Sequence, residues 1–119
     1  HLVSKVTGQL KNSNNFMNLV ANTFPAGTLT GAPKVRAMEL IEEIEQTNRS
    51  FYGGAIGFMD FKENFNHAIM IRSFLSKNHK LYFQAGAGIV ESSTEENETQ
   101  EVYNKLSALQ KALDLAENI

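Results

Sequence analysis

Glu98, Glu101 and Lys105 follow one another at helical spacing near the end of the chain. With Glu98 set at 0° and about 100° per residue, Glu101 falls near roughly −60° and Lys105 near roughly −20°, beside an apolar stripe centred near about +40°. Two carboxylates one turn apart at the edge of a buried face can hold Mg2+, a hard cation that takes oxygen ligands. A surface ion pair between Glu101 and Lys105 accounts for the same spacing, and periodicity alone does not choose between them. Arg72 falls in an expected strand over 65–75, on one face with Ala68, Met70 and Phe74. A guanidinium in an apolar setting needs a partner. Either an internal carboxylate such as Glu39 or the carboxylate of a substrate satisfies it, the latter at two points of the planar fork.

Glycines mark two further places. In an expected strand over 79–89, one face carries Tyr82, Gln84, Gly86 and Gly88, so its C-terminal end is bare of side chains. Such a stretch marks a bulge, a close approach by a ligand, or tight packing against a helix. Gly53 and Gly54 beside Tyr52 read most simply as a turn into a strand. The loop from Gly27 to Lys34 does not match the phosphate-loop pattern: only three residues separate its glycines, and Ala32-Pro33 intervene before the lysine.

The elements that must position these residues follow from patterning. Leu2, Val6 and Leu10 alternate with polar residues over 1–10, as in a half-buried strand. A short helix is expected over 15–22, then a loop from Phe24 to Pro33, then a helix to about Gln46 with Ala37, Leu40, Ile41 and Ile44 on one face. The middle reads as a three-stranded antiparallel meander, roughly 53–61, 65–75 and 79–89, turning at 62–64 and 76–78. Its first strand is apolar on both faces, which suits a central, covered position. A helix over 94–117 carries the stripe Val102, Leu106, Leu109, Leu113 and Ala116, with capping-box spacing at Ser93–Glu96. The expectation is an α+β domain over 1–119: an antiparallel sheet, made of the meander and an N-terminal strand, flanked by helices. Because the sequence opens on His1 within an alternating segment, it is read as a piece of a longer polypeptide.

Composition narrows the class. The chain has 119 residues, 42% hydrophobic, with a formal charge of −2. That is enough apolar material to expect a core. No basic cluster suits nucleic acid, no apolar run suits a membrane span, and the absence of cysteine removes thiolate chemistry and disulfides. A reducing, cytoplasmic setting is compatible with this.

Taken together, these residues resemble a known family. The stretch Phe24-Pro25-Ala26-Gly27-Thr28-Leu29-Thr30-Gly31-Ala32-Pro33-Lys34-Val35-Arg36-Ala37-Met38-Glu39-Leu40-Ile41 is similar to the signature of the chorismate-utilising enzymes. Tyr52-Gly53-Gly54-Ala55-Ile56-Gly57, Ile71-Arg72, Gln84 to Val90, and then Glu98, Glu101 and Asn104-Lys105 follow in the family order. Pro-Ala-Gly-Thr is most similar to the anthranilate-forming branch, component I. Phe58-Met59 and the turn Glu91–Glu95 depart from the usual wording.

The resemblance implies the C-terminal part of a larger α+β catalytic domain that converts chorismate and ammonia to anthranilate and pyruvate on the way to tryptophan. It implies Mg2+ held by Glu98 and Glu101, and the enolpyruvyl carboxylate held by Arg72 and Tyr52. It also implies ligand approach to the main chain at Gly86 and Gly88, a substrate contact from Thr28, and His1 and Lys105 near the reacting centre. A glutamine amidotransferase subunit, component II, is the implied partner. The piece alone is expected to be inactive and, with a strand edge bared over 1–10, to self-associate. Sister enzymes forming aminodeoxychorismate, isochorismate or salicylate, and a non-catalytic binding module, are the alternative readings.

Overall fold

A computed structural model of the chain describes residues 3–10, 16–62 and 64–118. Three helices precede two hairpins and a final long helix: α1 (Phe16–Thr23), α2 (Gly27–Thr30), α3 (Lys34–Ile44), β1 (Ala55–Met59), β2 (Phe65–Ile69), β3 (Leu75–Lys77), β4 (Lys80–Tyr82) and α4 (Glu95–Ala116). The α+β class holds, but the sheet is smaller than the sequence suggests. β1 pairs antiparallel with β2, from Ala55 opposite Ile69 to Met59 opposite Phe65. β3 pairs separately with β4, Leu75 opposite Tyr82. There are two ribbons, not a three-stranded meander.

The reason lies in the backbone between β2 and β3. Arg72 has φ +53°, a left-handed conformation that no strand tolerates. The expected strand over 65–75 is broken there, and its two halves join different hairpins. The second hairpin turns on Asn78 and His79, at φ +52° and +57°. Two positive φ values in a two-residue loop suit the right-handed twist of the flanking strands, so this turn sits slightly later than expected. At the first turn the Asp60 carboxylate accepts from the main-chain N–H groups of Lys62 and Asn64 and from the Asn64 amide. Those bonds lower the Asp60 pKa, the Asn64 side chain contributing most. After Tyr82 the glycine-bearing stretch through Val90 leaves the ladder, so the expected strand over 79–89 is confined to β4.

Residues 3–10 are not a strand either. Val3 and Val6 are each 90% exposed, and no ladder among the described residues receives them. Alternation prepares a strand, but only a paired neighbour makes one. β1 is likewise not a covered central strand, for Ile56 and Phe58 stand in solvent.

The expected core is also missing. Leu109 alone is buried among the described residues. The accessible surface is 10404 Å², against roughly 6,400 Å² for a folded monomer of this mass. The radius of gyration is 17.2 Å, where about 13.5 Å is usual at this length. The helices therefore owe their definition to local signals. In α4 the Thr94 hydroxyl caps the first turn by accepting from the Asn97 N–H, one residue later than the expected box. Its stripe of Val102, Leu106, Leu109 and Leu113 is the most covered part of the helix. At α3 the chain turns tightly through Gly31, φ +115°, where a Cβ would lie 3.0 Å from that of Ala37. That close approach seats α2 on α3. Among the described residues, no helix is long and apolar enough to cross a membrane.

Candidate functional site

A cleft of about 350 Å³ is walled by α2, the turn around Tyr52, the end of β2 and the glycine-bearing stretch after β4. That volume lies at the small end of the range for small-molecule sites. Thr28, Tyr52, Arg72, Gly86, Gly88 and Lys105 all line it. Six residues singled out between positions 28 and 105 thus meet in one place. Glu98 and Glu101 lie on α4 outside the lining. His1 lies outside the described residues.

Each lining group is placed by local backbone. Thr28 sits within the single turn of α2, which replaces the expected loop, and its neighbour Thr30 turns its hydroxyl back to the Ala26 carbonyl. Tyr52 closes a turn onto the Arg49 carbonyl. The next residue, Gly53, has φ +78° and donates to the Met70 carbonyl, while Met70 donates to Gly54. These bonds bring Tyr52 alongside the end of β2. At Gly86 a Cβ would stand 3.3 Å from the Tyr52 hydroxyl, so only glycine leaves that approach unobstructed.

Arg72 departs most from its expected setting. It is exposed, and it shares no strand face with Phe74, because the kink at φ +53° takes it out of the sheet. Glu39 is not its partner: that carboxylate accepts from Arg36 at 2.9 Å. Among the described residues Arg72 has no acidic partner. A left-handed arginine costs on the order of 1–2 kcal/mol, and such strain gathers at binding sites. The result is an unpaired guanidinium at the cleft wall.

Lys105 is committed differently. Its ammonium donates to the Gly86 carbonyl at 2.7 Å and pairs with the Glu101 carboxylate at 2.5 Å. It ties α4 to the glycine-bearing wall. The i,i+4 pair seen in the sequence is therefore real, and it leaves Glu98 as the carboxylate with unfilled capacity.

Glu98 Oε1 accepts from the Ser93 hydroxyl at 2.5 Å, while Oε2 is buried with no hydrogen-bond partner. A buried, unfilled carboxylate oxygen is costly by itself and suits a bound cation. No group of three or more metal-ligating side chains forms among the described residues. Mg2+ commonly takes one or two carboxylates and keeps several waters, so Glu98 suits it, whereas the Glu101 carboxylate is engaged by Lys105. In the sequence Ser93 reads only as a helix cap. Its hydroxyl instead orients Glu98 and accepts from the Val90 N–H.

Two more residues at the cleft were missed. Arg49 donates to both oxygens of Glu45 and to the Leu29 carbonyl, and its guanidinium carbon lies 6.0 Å from the Tyr52 ring centroid. The Arg49 hydrogen bonds hold the Glu45 carboxyl below its ordinary pKa, and Glu45 in turn raises that of Arg49. Their i,i+4 spacing across the end of α3 was the available signal, hidden because the helix stops between them.

A family model for the chorismate binding enzyme matches residues 1–111. Anthranilate synthase component 1 of Bacillus pumilus is 50% identical over 119 residues, all of this chain and 23% of that protein. The same-named protein of Aquifex aeolicus is 45% identical over 117 residues, 98% of this chain and 24% of its own length. That of Mycobacterium tuberculosis is 50% identical over 119 residues. The chain spans about a quarter of the length of these curated relatives.

Proposed function

Since the chain belongs to the chorismate-binding enzyme family, we propose that it supplies one substrate-holding wall of an anthranilate-forming enzyme. The reaction is chorismate plus ammonia giving anthranilate, pyruvate and water. The carrying observation is the Arg72 guanidinium, without an acidic partner among the described residues, in a small cleft that also holds Tyr52 and Thr28. Chorismate has two carboxylates, so a site for it must neutralise two negative charges.

In this reading Arg72 takes the enolpyruvyl carboxylate in its planar fork, with the Tyr52 hydroxyl beside it. Thr28 lines the cleft from α2. The main chain at Gly86 and Gly88 is open to the ligand because no Cβ intervenes. Lys105 holds that stretch in place through the Gly86 carbonyl, its charge offset by Glu101. Glu98, oriented by Ser93, would hold Mg2+, with Glu101 joining it on releasing Lys105. When bound, the metal supplies a Lewis acid that offsets the charge of the ring carboxylate. His1 is the proposed acid for the departing hydroxyl or base for the ring proton.

Ammonia would reach the site from a glutamine amidotransferase subunit, and the product would feed tryptophan synthesis in the cytoplasm. The bare apolar faces of β1 and α3 fit a chain packed within a protein of its relatives' length, and the 119 residues alone should be inactive. The test is product identification. The longer protein, given chorismate, ammonium and Mg2+, is expected to yield anthranilate and equimolar pyruvate. An aminated product that retains the enolpyruvyl group, or no turnover, overturns the reading.

A further inference from the structure

The cleft is lined by three cations, Arg49, Arg72 and Lys105, yet they are not equivalent. Lys105 is neutralised by Glu101, and Arg49 by both oxygens of Glu45. Arg72 alone of the three is without an acidic partner among the described residues. One guanidinium, that of Arg49, meanwhile bonds two separate pieces of the wall, the end of α3 through Glu45 and α2 through the Leu29 carbonyl at 2.8 Å, and lies over a third, with its carbon 6.0 Å from the Tyr52 ring centroid. A planar fork serves these directions together, whereas an ammonium on a flexible stem does not.

We propose that Arg49 is a positioning residue of the cleft. Its fork sets the Thr28 turn and the Tyr52 phenol against the anion site at Arg72, while Glu45 cancels its charge so that it does not compete for the anion. This inference rests on the chorismate reading and deepens it. The lowered carboxyl pKa of Glu45 keeps that cancellation intact through neutral pH.

A merely structural helix-end pair makes a different prediction. In Arg49→Lys the i,i+4 pair with Glu45 survives, so a structural role is fully rescued by lysine. A positioning role is not. In the longer protein, Arg49→Lys is expected to leave the urea unfolding midpoint within error. It should weaken equilibrium binding of chorismate about tenfold, measured without ammonia, as expected when a hydrogen bond that orients the site is lost. KM should rise in parallel, with kcat within about twofold of the wild-type value.

Glu45→Gln gives a second readout, because its partly exposed side chain is readily replaced. It frees the Arg49 charge, and inorganic sulfate should then inhibit competitively at up to about fivefold lower concentration, the range of an exposed ion pair. Wild-type chorismate affinity in Arg49→Lys, or unchanged sulfate inhibition in Glu45→Gln, overturns the assignment. Wild-type protein that fails to bind chorismate overturns the chorismate reading and this inference together. Chorismate binding with a product other than anthranilate overturns only the choice of reaction.

Discussion

Lys105 donates to the Gly86 carbonyl at 2.7 Å, across 19 residues of chain, and so fastens the long helix α4 to the glycine-bearing wall of the cleft. This bond joins a helical cation to the glycine-bearing stretch after β4 in one unit. Lys105→Met keeps the length of the stem and leaves the carbonyl without its donor. The longer protein is expected to lose about 1–3 kcal/mol of stability and to bind chorismate more weakly. Urea denaturation and equilibrium binding read the two effects.

Glu98→Gln separates a metal carboxylate from a structural one. The variant keeps size and helix propensity but removes the charge from the buried Oε2. In Mg2+-free buffer its thermal midpoint should match or exceed that of the wild type, because a buried unpaired charge is costly. Its Mg2+ requirement should rise steeply. A lowered metal-free midpoint with unchanged Mg2+ dependence would mean that Glu98 serves only its bond to Ser93.

Gly31→Ala meets two obstacles at once, φ +115° and a Cβ 3.0 Å from that of Ala37. A loss of about 1–3 kcal/mol is expected. Gly88→Ala, with nothing within 4 Å of the added carbon, should be close to neutral in stability. Any effect there should fall on chorismate affinity, and paired denaturation and binding curves distinguish the two.

The Glu45–Arg49 pair gives a pH signature. The Glu45 pKa is lowered on folding, mainly by the Arg49 hydrogen bonds. Its contribution to stability is therefore present above the ordinary carboxyl value of 4.5 and lost as pH falls through the lower folded value. In Glu45→Gln the midpoint should fall less between pH 6 and pH 3 than in the wild type. Parallel acid-denaturation profiles of the two would contradict this.

Much of the arrangement was legible in the residues. α4 declares itself through a capping signal, placed one residue early at Ser93, and a long apolar stripe. Six of the cleft residues stand out in the sequence by type or by family wording. What stayed hidden depends on backbone states that side-chain patterning does not encode. Nothing in Ile71-Arg72-Ser73 announces a left-handed arginine, so the break between β2 and β3 and the loss of the meander were invisible. The alternation of residues 3–10 likewise states a preference for a strand, which exposed valines cannot realise without a neighbour. Arg49 escaped notice because its partner Glu45 caps a helix that has already ended.

Arg72 tests the account most directly. Equilibrium binding of chorismate to the longer protein should be compared for the wild type, Arg72→Lys and Arg72→Ala. If the unpaired guanidinium takes a carboxylate in its planar fork, lysine keeps the charge but loses the two-point contact. Both variants should then lose about 2–5 kcal/mol of binding, with unfolding midpoints close to that of the wild type because the side chain is exposed and has no acidic partner among the described residues. Wild-type affinity in Arg72→Lys, or in both variants, would contradict the placement of the chorismate carboxylate in this cleft.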